Sequence, residues 1–311
     1  MIATVTLNPS LDEWAYLDRL RVGGLNRATA AERYPGGKGI NVSRVVHELG
    51  GRTIALAIAG GTDGALLGRL LGQQGIRHRF ITVRGSTRNN YHLLTDHPAA
   101  LTQINCPGPR VTAGDLRRLL AAVRRLGRRL DALVCSGSLP PGAPATVYRR
   151  LTALGQALRV PTVVDSSGPP LRHSLSARPW LIKPNRQEAE ELLGERLGTR
   201  RRLVHAARRL AAMGPSLVVL SSGADGACLA ARGGEALWAV PPDVPVRSAV
   251  GAGDSLVAGL VLGWQRTRSL REALRLGVAC GAATALTPGT ELCHRSDVLR
   301  LLGRVEIRPL S

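Results

Sequence analysis

Short apolar segments alternate with amphipathic helical segments along most of the 311-residue chain. The segments with the composition of buried strands are IATVTL, TIALAIAG, ALVCSG, TVVDSS, WLIKPN and SLVVLSSG. Those with apolar residues at helical spacing are INVSRVVHELG, GALLGRLLGQQG, QEAEELLG, RRLVHAARRLAAMG, DSLVAGLVLGW and LREALRLGVACGAATAL. Strand–helix alternation of this kind predicts an α/β fold in which helices cover both faces of a mainly parallel sheet.

Two segments interrupt this alternation. Residues 11–35 and 80–106 are richer in aromatic residues, threonine and turn-forming residues, which favours short strands and hairpins inserted into the α/β body. One interpretation is a small β platform, or lid, that covers a site; an ordinary surface excursion is the other. The first interpretation predicts an α/β core of residues 1–10, 36–79 and 107–311, with a lid built from the two inserted segments.

The chain is strongly basic, with 42 Lys and Arg against 22 Asp and Glu and a net charge of +20. This balance favours anionic ligands. It does not by itself indicate nucleic acid, because residues 115–130 place leucine and valine at helical spacing and most of their arginines on the other face, as in a surface helix. Only 3% of the residues are aromatic, whereas proteins that bind single-stranded nucleic acid stack bases on aromatic rings. We therefore expect no nucleic-acid partner.

Cysteine content and hydropathy bear on the compartment. The five cysteines are odd in number and include no CxxC pair, and the seven histidines have no metal-ligand spacing, which argues against a disulfide framework or a zinc site. The N-terminus has no basic start followed by an apolar block, and no apolar run approaches the length of a membrane span. The sequence thus predicts a cytoplasmic protein that does not insert into a membrane.

The segment SAVGAGDSLVAGL places two glycines immediately before a helical pattern. Gly251 and Gly253 let the backbone approach a ligand closely, and the free N–H groups and dipole of a first helical turn favour an anion. Asp254 is placed to accept a proton from an attacking hydroxyl, as phosphoryl transfer requires. The alternative is a tight turn with Asp254 as a helix cap. The dinucleotide and P-loop motifs are excluded by Leu256 and Gly39, which stand where those motifs need glycine and Ser or Thr.

Only two of the basic residues are lysines, Lys38 in PGGKGIN and Lys183 in LIKPNRQE. Lysine presents a compact charge on a flexible stem, whereas arginine presents a planar fork. Each lysine stands at a strand end marked by glycine or proline, where a narrow slot around a phosphoryl group would select the compact head group. We therefore predict functional roles for both, in preference to chance survival in an arginine-rich chain.

Asn185 and Glu188 stand three positions apart at the start of a predicted helix. An amide and a carboxylate at that spacing can orient water around Mg²⁺ beside nucleotide phosphates. The same two residues also match a helix-capping pattern, and the two interpretations are compatible. The segment SSGADGA, residues 221–227, follows another predicted strand and can either line a nucleotide or turn a hairpin.

Four motifs, GGKGIN, KPNxxE, SxGxxGA and VGAGDS, resemble in sequence and order those of the PfkB group of ribokinase-like sugar kinases. VTLNPSLD, STRNNYHLL, CSGSLPPG and VDSSGPPL are similar to its phosphofructokinase and tagatose-6-phosphate kinase branch. The resemblance implies a three-layer, Rossmann-like α/β core with a small β-sheet lid and an active site between them. It also implies ATP and Mg²⁺, a sugar-phosphate acceptor with a primary hydroxyl, and a homodimer joined through the lids.

The resemblance also assigns roles to individual residues. By motif, it implies that Asp254 is the base and that the backbone N–H groups of Gly251, Ala252 and Gly253 form an anion hole. The substrate would be bound by Asp12, Arg27, Gly36, Gly37, Lys38, Asn41, Arg88, Asn90, Ser138 and Asp254, with Lys38 also reaching the transferred phosphate. The nucleotide region would comprise Lys183, Asn185, Ser221, Gly223, Gly226 and Gly253, with Asn185 and Glu188 holding Mg²⁺ through water.

The chain also departs from the family pattern. Members often read DTTGAGD, whereas this chain has Ser248, Ala249 and Val250 before the glycines, and Glu291 lies in an unusual TPGTEL segment. Both departures concern a monovalent-cation site that the resemblance implies beside this loop. For the acceptor, fructose 1-phosphate is favoured, with tagatose 6-phosphate and fructose 6-phosphate left open. A non-catalytic sugar-phosphate sensor is the alternative from another class, and the retained Asp254 argues against it.

Overall fold

The computed structural model describes residues 1–310, and their strands form two separate sheets. The strands of the large sheet are β1 (Ile2–Thr6), β4 (Thr53–Ala59), β5 (His78–Thr82), β8 (Ala132–Ser136), β9 (Thr162–Asp165), β10 (Leu181–Ile182), β11 (Leu217–Ser221), β12 (Ala227–Ala231), β13 (Ala236–Val240) and β14 (Glu306–Pro309). The strands of the small sheet are β2 (Ser10–Leu17), β3 (Ala30–Gly36), β6 (Arg88–Asp96) and β7 (Ala99–Ile104).

The large sheet is mainly parallel, as predicted. Its strand order is β14-β13-β12-β11-β10-β9-β8-β1-β4-β5, and every pairing from β11 to β5 is parallel. The strands β12, β13 and β14 form an antiparallel edge. Only the turn at 221–227 had a hairpin among its interpretations; the strands of this edge were not predicted, because β12 and β13 are rich in alanine, which has a low strand propensity.

Helices cover both faces of the large sheet, which confirms the predicted α/β class. They are α1 (Lys38–Glu48), α2 (Gly61–Gln73), α3 (Ala113–Leu126), α4 (Val147–Ala157), α5 (Gly168–Leu175), α6 (Arg186–Leu193), α7 (Arg200–Ala212), α8 (Ala252–Thr267), α9 (Leu270–Ala285) and α10 (Arg295–Leu302). Alternate residues of β11 enter two different apolar clusters, Val218 and Leu220 one cluster and Leu217 and Val219 the other. The result is three layers, and no helix of residues 1–310 is long and apolar enough to cross a bilayer.

The order of the strands reverses at β1. From β1 the chain adds β4 and β5 on one side and then returns to add β8, β9, β10 and β11 on the other. Ligands of open α/β sheets bind beyond the carboxyl ends of the strands at such a reversal. The fold therefore predicts a ligand site at the carboxyl ends of β1 and β8, where Thr6 lies opposite Ser136.

The small sheet is formed by the two segments that interrupt the strand–helix alternation. Its order is β3-β2-β6-β7, and the parallel pairing of β2 with β6 places Asp12 opposite Asn90. The strand β5, which spans the predicted boundary at residue 80, pairs with β4 in the large sheet, so the second part of the small sheet begins only at Arg88. The division into a core and a lid stays a prediction.

Candidate active site

Three polar side chains with unsatisfied atoms lie in a row at the ends of neighbouring strands. Thr6 ends β1, Ser136 ends β8 and Asp165 ends β9, and each lies opposite the next in the strand register. Their side-chain oxygens are buried and have no hydrogen-bond partner in residues 1–310. Asp165 forms ion pairs with two lysines, whereas the hydroxyl groups of Thr6 and Ser136 have neither hydrogen bond nor ion pair. Because buried polar atoms nearly always have a partner, these hydroxyl groups indicate a place that a ligand or water completes.

Both lysines of the chain lie beside Asp165. Lys183 Nζ is 3.4 Å from Asp165 Oδ1, and Lys38 Nζ is 3.6 Å from the same oxygen and 3.6 Å from Glu188 Oε1. Asp165 is fully buried and Lys183 almost so, whereas the Lys38 side chain is 38% exposed. The Asp165 carboxylate raises the pKa of Lys38 and outweighs the partial loss of solvent around the ammonium, so the ammonium stays charged. The structure thus brings the two lysines together at one strand end.

The glycine-rich loop leads directly into α8. Gly251 has a φ of +83°, in the left-handed region that favours glycine, and the helix begins at the next residue. An added Cβ at Gly253 would lie 3.4 Å from Lys183 Nζ, so the first turn of α8 and this ammonium face the same space. The N–H of Ala252 donates to Ala249 O at 3.3 Å. This bond leaves Ala252 less available to an anion than predicted. Ser255 N donates to Gly251 O at 2.9 Å, whereas the N–H groups of Gly253 and Asp254 lack acceptors within the helix, as an anion site requires.

Asp254 lies in the first turn of α8, is only 6% exposed and accepts a hydrogen bond of 2.8 Å from Asn41 Nδ2 at its Oδ2. It does not cap α8, which has no side-chain cap, so the helix-cap interpretation is wrong. Burial raises the pKa of Asp254 from 3.8 to about 7. Lys38 opposes the rise, Asp165 adds to it, and Asn41 and Lys183 oppose it more weakly. A carboxyl group that titrates near neutral pH is suited to accept a proton from a hydroxyl.

Two glycines hold the start of α1 against β1 and β2. An added Cβ at Gly36 would lie 2.5 Å from the carboxylate of Asp12, and one at Gly37 would lie 2.8 Å from Thr6 Cγ2. Gly37 also has a φ of +113°. The Oδ1 of Asp12 accepts a hydrogen bond of 3.2 Å from Asn90 Nδ2. This close approach places the buried carboxylate of Asp12 and the amide of Asn90 beside the start of α1, and groups of these types can bind sugar hydroxyls.

Arg88 and Ser138 meet through Asn8. Arg88 Nη2 donates to Asn8 O at 3.0 Å, Arg88 Nη1 donates to Cys106 O at 3.1 Å, and Asn8 Nδ2 donates to Ser138 Oγ at 3.2 Å. The Nε of Arg88 is buried without a partner, so this corner keeps an unused charged donor, which suits a phosphate group. Arg27 is not brought to this corner: it is exposed between β2 and β3 and has no hydrogen bond or ion pair with these residues.

Asn185 and Glu188 form a complete capping box at the start of α6. Glu188 N donates to Asn185 Oδ1 at 2.8 Å, and Asn185 N donates to Glu188 Oε2 at 2.9 Å. The other carboxylate oxygen of Glu188 faces Lys38, so capping leaves one oxygen directed into the site. The capping interpretation is confirmed, and it does not exclude a role in metal binding.

The segment 221–227 turns β11 into the antiparallel β12, so the hairpin interpretation is confirmed. Ser221 also pairs with Asn185 in an isolated bridge, which places this turn beside the start of α6. Gly223 has a φ of +56° and Gly226 a φ of +108°. An added Cβ at Gly226 would lie 2.1 Å from Ala239 O, so this turn requires glycine for its own geometry.

Two residues of the site were not predicted. Asp165 follows an apolar run and resembles any strand end, because no sequence spacing connects it to Lys38 or Lys183. Asn8 likewise has no partner nearby in the sequence. The one available signal was positional, since polar residues at the carboxyl ends of adjacent parallel strands meet at the same edge of a sheet.

These features define a phosphotransferase site. A buried carboxyl group that titrates near neutral pH lies at the N-terminus of α8, and the ammonium groups of Lys38 and Lys183 lie nearby. A base, an anion-binding helix end and positive charge are the components that phosphoryl transfer needs.

Comparison with known proteins identifies the family. Residues 5–297 match the pfkB family carbohydrate kinase profile, and the chain belongs to this family. ATP-dependent 6-phosphofructokinase isozyme 2 of Mycobacterium tuberculosis is 39% identical over 300 residues, which cover 96% of this chain and 88% of the relative. The 1-phosphofructokinase of Bacillus subtilis is 36% identical over 310 residues, which cover 100% of both chains. The predicted family is therefore confirmed.

A solved structure agrees with this assignment. Phosphofructokinase-2 from Escherichia coli in complex with potassium superposes with a TM-score of 0.92 and 33% identity, over 97% of this chain and 98% of that one. The predicted ribokinase-like fold is confirmed. The chain is thus a carbohydrate kinase, an enzyme that transfers a phosphoryl group from ATP with the help of a divalent metal.

Proposed function

We propose that the protein transfers the γ-phosphoryl group of ATP to the C6 hydroxyl of fructose 1-phosphate, which gives fructose 1,6-bisphosphate and ADP. The observation that carries the proposal is the combination of the buried base Asp254 with a separate cationic corner at Arg88. That corner gives an acceptor that is already phosphorylated its own binding group. Relatives named 1-phosphofructokinase, 33 to 36% identical over nearly the whole chain, support this acceptor.

In the proposed reaction, Asp254 accepts the proton of the acceptor hydroxyl while the hydroxyl oxygen forms a bond to the γ-phosphorus. The bond from the γ-phosphorus to the β–γ bridging oxygen breaks, and ADP leaves with the bonding electron pair. The N–H groups at Gly251 and Gly253 and the ammonium of Lys38 stabilise the charge on the transferred group. Lys183, which lies beside Gly253 in the first turn of α8, binds the nucleotide phosphates.

The acceptor is proposed to lie between the two glycines of α1 and the small sheet. Asp12 and Asn41, both only 5% exposed, bind its hydroxyl groups with the backbone of Gly36 and Gly37. Its existing phosphate is bound by the unused donor of Arg88 and by the side chains of Asn90 and Ser138. Arg27 joins this set when the small sheet closes over the substrate as a lid.

Mg²⁺ is the divalent metal that we propose. No group of three or more His, Cys, Asp or Glu side chains in residues 1–310 is placed to hold a metal ion directly. Mg²⁺ does not require such a group, because it keeps water ligands and is held by one or two carboxylates together with substrate phosphates. The Glu188 oxygen that is not used in capping and faces Lys38, together with Asn185, fits this mode. When bound, Mg²⁺ would neutralise charge on the nucleotide phosphates.

A monovalent-cation site is proposed beside the α8 loop. The hydroxyl of Ser248 donates to Gly289 O at 2.9 Å, so the loop before α8 and the segment that contains Glu291 lie together. The potassium bound to the Escherichia coli relative supports a site of this kind. Turnover in potassium and in tetramethylammonium salts tests it, and equal rates in both would contradict it.

The small sheet is proposed to join two copies of the chain. Tyr91 and Ile104 lie opposite each other on β6 and β7 and are 43% and 49% exposed, and a second copy would cover them. Sedimentation velocity should give a dimer for the wild type and a monomer for Ile104→Asp, whereas a monomeric wild type would contradict the proposal. We also propose a cytoplasmic location, which suits the five unpaired cysteines.

Release of ADP across a panel of acceptors tests the function. We expect the highest kcat/KM with fructose 1-phosphate among fructose 1-phosphate, fructose 6-phosphate, tagatose 6-phosphate and free fructose. Fructose 6-phosphate is the second candidate, because the relative with that activity in its name is 39% identical. Thermal stabilisation by a sugar phosphate without ADP release would instead support a sensor. Asp254→Ala should abolish turnover and retain nucleotide binding, and retained turnover would remove Asp254 as the base.

A further inference from the structure

Arg44 is a buried arginine whose partners carry no charge. It lies on α1 and is only 8% exposed. Its guanidinium donates to five uncharged oxygens, which are Pro35 O (3.3 Å), Asn41 Oδ1 (3.4 Å), Gln74 Oε1 (3.2 Å), Thr290 O (2.9 Å) and Glu291 O (3.3 Å). Burial lowers the pKa of Arg44 to about 10. The carboxylates of Asp12 and Glu291 offset this cost only from a distance, since neither forms an ion pair with Arg44. A charge buried without a close ion pair indicates a role other than stability.

Asn41 connects Arg44 to the proposed base. Arg44 Nη1 donates to Asn41 Oδ1, and Asn41 Nδ2 donates to Asp254 Oδ2 at 2.8 Å. A rotated amide would direct its NH₂ group at the guanidinium and its oxygen at the carboxylate, and both contacts would repel. The amide therefore has one favourable orientation, with its donor on Asp254.

Arg44 itself is held in place from three parts of the chain. Pro35 belongs to β3 of the small sheet, Gln74 follows α2, and Thr290 lies in the segment after α9. These contacts fix the guanidinium with Nη1 at 3.4 Å from Asn41 Oδ1, the longest of its five contacts, so Arg44 acts on Asn41 mainly through the position of its charge.

We propose that Arg44 is a positioning residue, which acts through Asn41 to hold a hydrogen-bond donor on Asp254 in the geometry that proton transfer needs. The inference rests on the proposed function, in which Asp254 is the base. Arg44 has no direct contact with the reacting atoms in it. The charged groups that face Asp254 are Lys38 from α1, Asp165 from the end of β9 and Lys183 after β10, and Arg44 donates a hydrogen bond to none of the three.

A double-mutant cycle on kcat tests this path of action. We expect Arg44→Met to lower kcat about tenfold, which corresponds to one hydrogen bond to a charged group. Asn41→Ala should lower kcat at least as much. If Arg44 acts through Asn41, adding Arg44→Met to Asn41→Ala should lower kcat no further. Equal losses from Arg44→Met in both backgrounds would overturn the inference.

The pH profile separates positioning from general damage. Loss of the donor removes a hydrogen bond to the charged form of Asp254, so the acid limb of kcat should move up by about one pH unit in Arg44→Met. The KM for ATP should stay within about twofold. An acid limb that stays at the wild-type pH would overturn the inference.

Arg266→Met is the matched control. The bond between Asn41 and Asp254 connects the N-terminal ends of α1 and α8. Arg266 Nη2 donates to Leu49 O at 2.7 Å and so connects the C-terminal ends of the same two helices. The twelve residues from Asp254 to Arg266 span about 18 Å of helix. The control should keep the wild-type kcat and acid limb, and a shift like that of Arg44→Met would overturn the inference.

Arg44→Lys keeps the test decisive if Arg44→Met does not fold. Lysine retains the charge but not the fork, so we expect a smaller loss of kcat that again disappears in the Asn41→Ala background. A folded Arg44→Lys enzyme with wild-type kcat and acid limb would overturn the inference. If the wild type releases no ADP with any ketose phosphate, the proposed function fails; if it turns over and the cycle is additive, only the role of Arg44 fails.

Discussion

Replacement of Asp254 by asparagine should stabilise the folded protein while it removes the proposed base. Burial raises the pKa of Asp254 from 3.8 to about 7, so the ionised carboxylate is less stable in the folded chain than in the unfolded one. Below about pH 4 the group is protonated in both states and contributes no difference. As the pH rises from about 4 to about 7, the unfolded state ionises first and the folded state loses stability.

The magnitude follows from the difference between the two pKa values. At pH 8, where the folded carboxyl group is ionised, a pKa difference of about three units lowers the unfolding free energy by about 4 kcal/mol. At pH 5.5 it lowers the unfolding free energy by only about 2 kcal/mol, because the folded group is still protonated. The asparagine side chain has almost the same shape as aspartate and carries no charge. The gain in unfolding free energy of Asp254→Asn should therefore be about 2 kcal/mol larger at pH 8 than at pH 5.5.

Urea unfolding followed by circular dichroism at both pH values measures this gain. Asp96→Asn is the control, since Asp96 is an exposed aspartate, and its effect should not depend on pH. A gain for Asp254→Asn that is the same at both pH values, or a loss of stability at pH 8, would refute the reasoning. Either result would mean that Asp254 is not a buried carboxyl group with a raised pKa.

Three further substitutions address other parts of the site. Arg88→Ala should raise the KM for the sugar phosphate about ten- to a hundredfold and leave the KM for ATP within about twofold. The reason is that it removes charge-assisted hydrogen bonds from one substrate only. Equal increases in both KM values would exclude Arg88 as the phosphate ligand. Lys38→Arg should lower kcat about a hundredfold, since the larger, planar guanidinium would pair with Asp165 and Glu188 and would not place its charge where the compact ammonium lies. Arg124→Lys on the exposed face of α3 should leave kcat unchanged, and similar kcat values for the two variants would contradict this. Gly37→Ala should lower the unfolding free energy by about 1–3 kcal/mol, because its φ of +113° and its contact with Thr6 exclude a side chain; an unchanged Tm would show that the loop adapts.

The sequence identified those parts of the site that carry local patterns. Gly251 and Gly253 stand before a helical repeat, and Lys38 is conspicuous in a chain that otherwise uses arginine. The strand–helix alternation predicted the parallel part of the large sheet, because buried strands and amphipathic helices have distinct periods. These features depend on neighbours within one or two turns of chain.

Other parts depend on contacts between distant segments, and no local pattern predicts them. Asp165 becomes informative only when the sheet places both lysines beside it. Arg44 sits in a helix where arginine usually faces water, and only the packing of Pro35 and Thr290 shows that it is buried. The antiparallel edge after β11 was missed for a related reason, since its alanine-rich strands are defined by their pairing partners and not by their composition.

The convergence of both lysines on Asp165 has a consequence for amine chemistry. Apart from the α-amino group of Met1, the only aliphatic amines of the protein lie in one pocket, and Lys38 is the more accessible of them. Reagents that acylate amines find no ε-amino group elsewhere, because guanidinium groups stay protonated and unreactive toward them. A dye, cross-linker or solid support attached through a lysine would therefore lie at the proposed phosphate site, and acetylation of either lysine would remove a charge that faces Asp165.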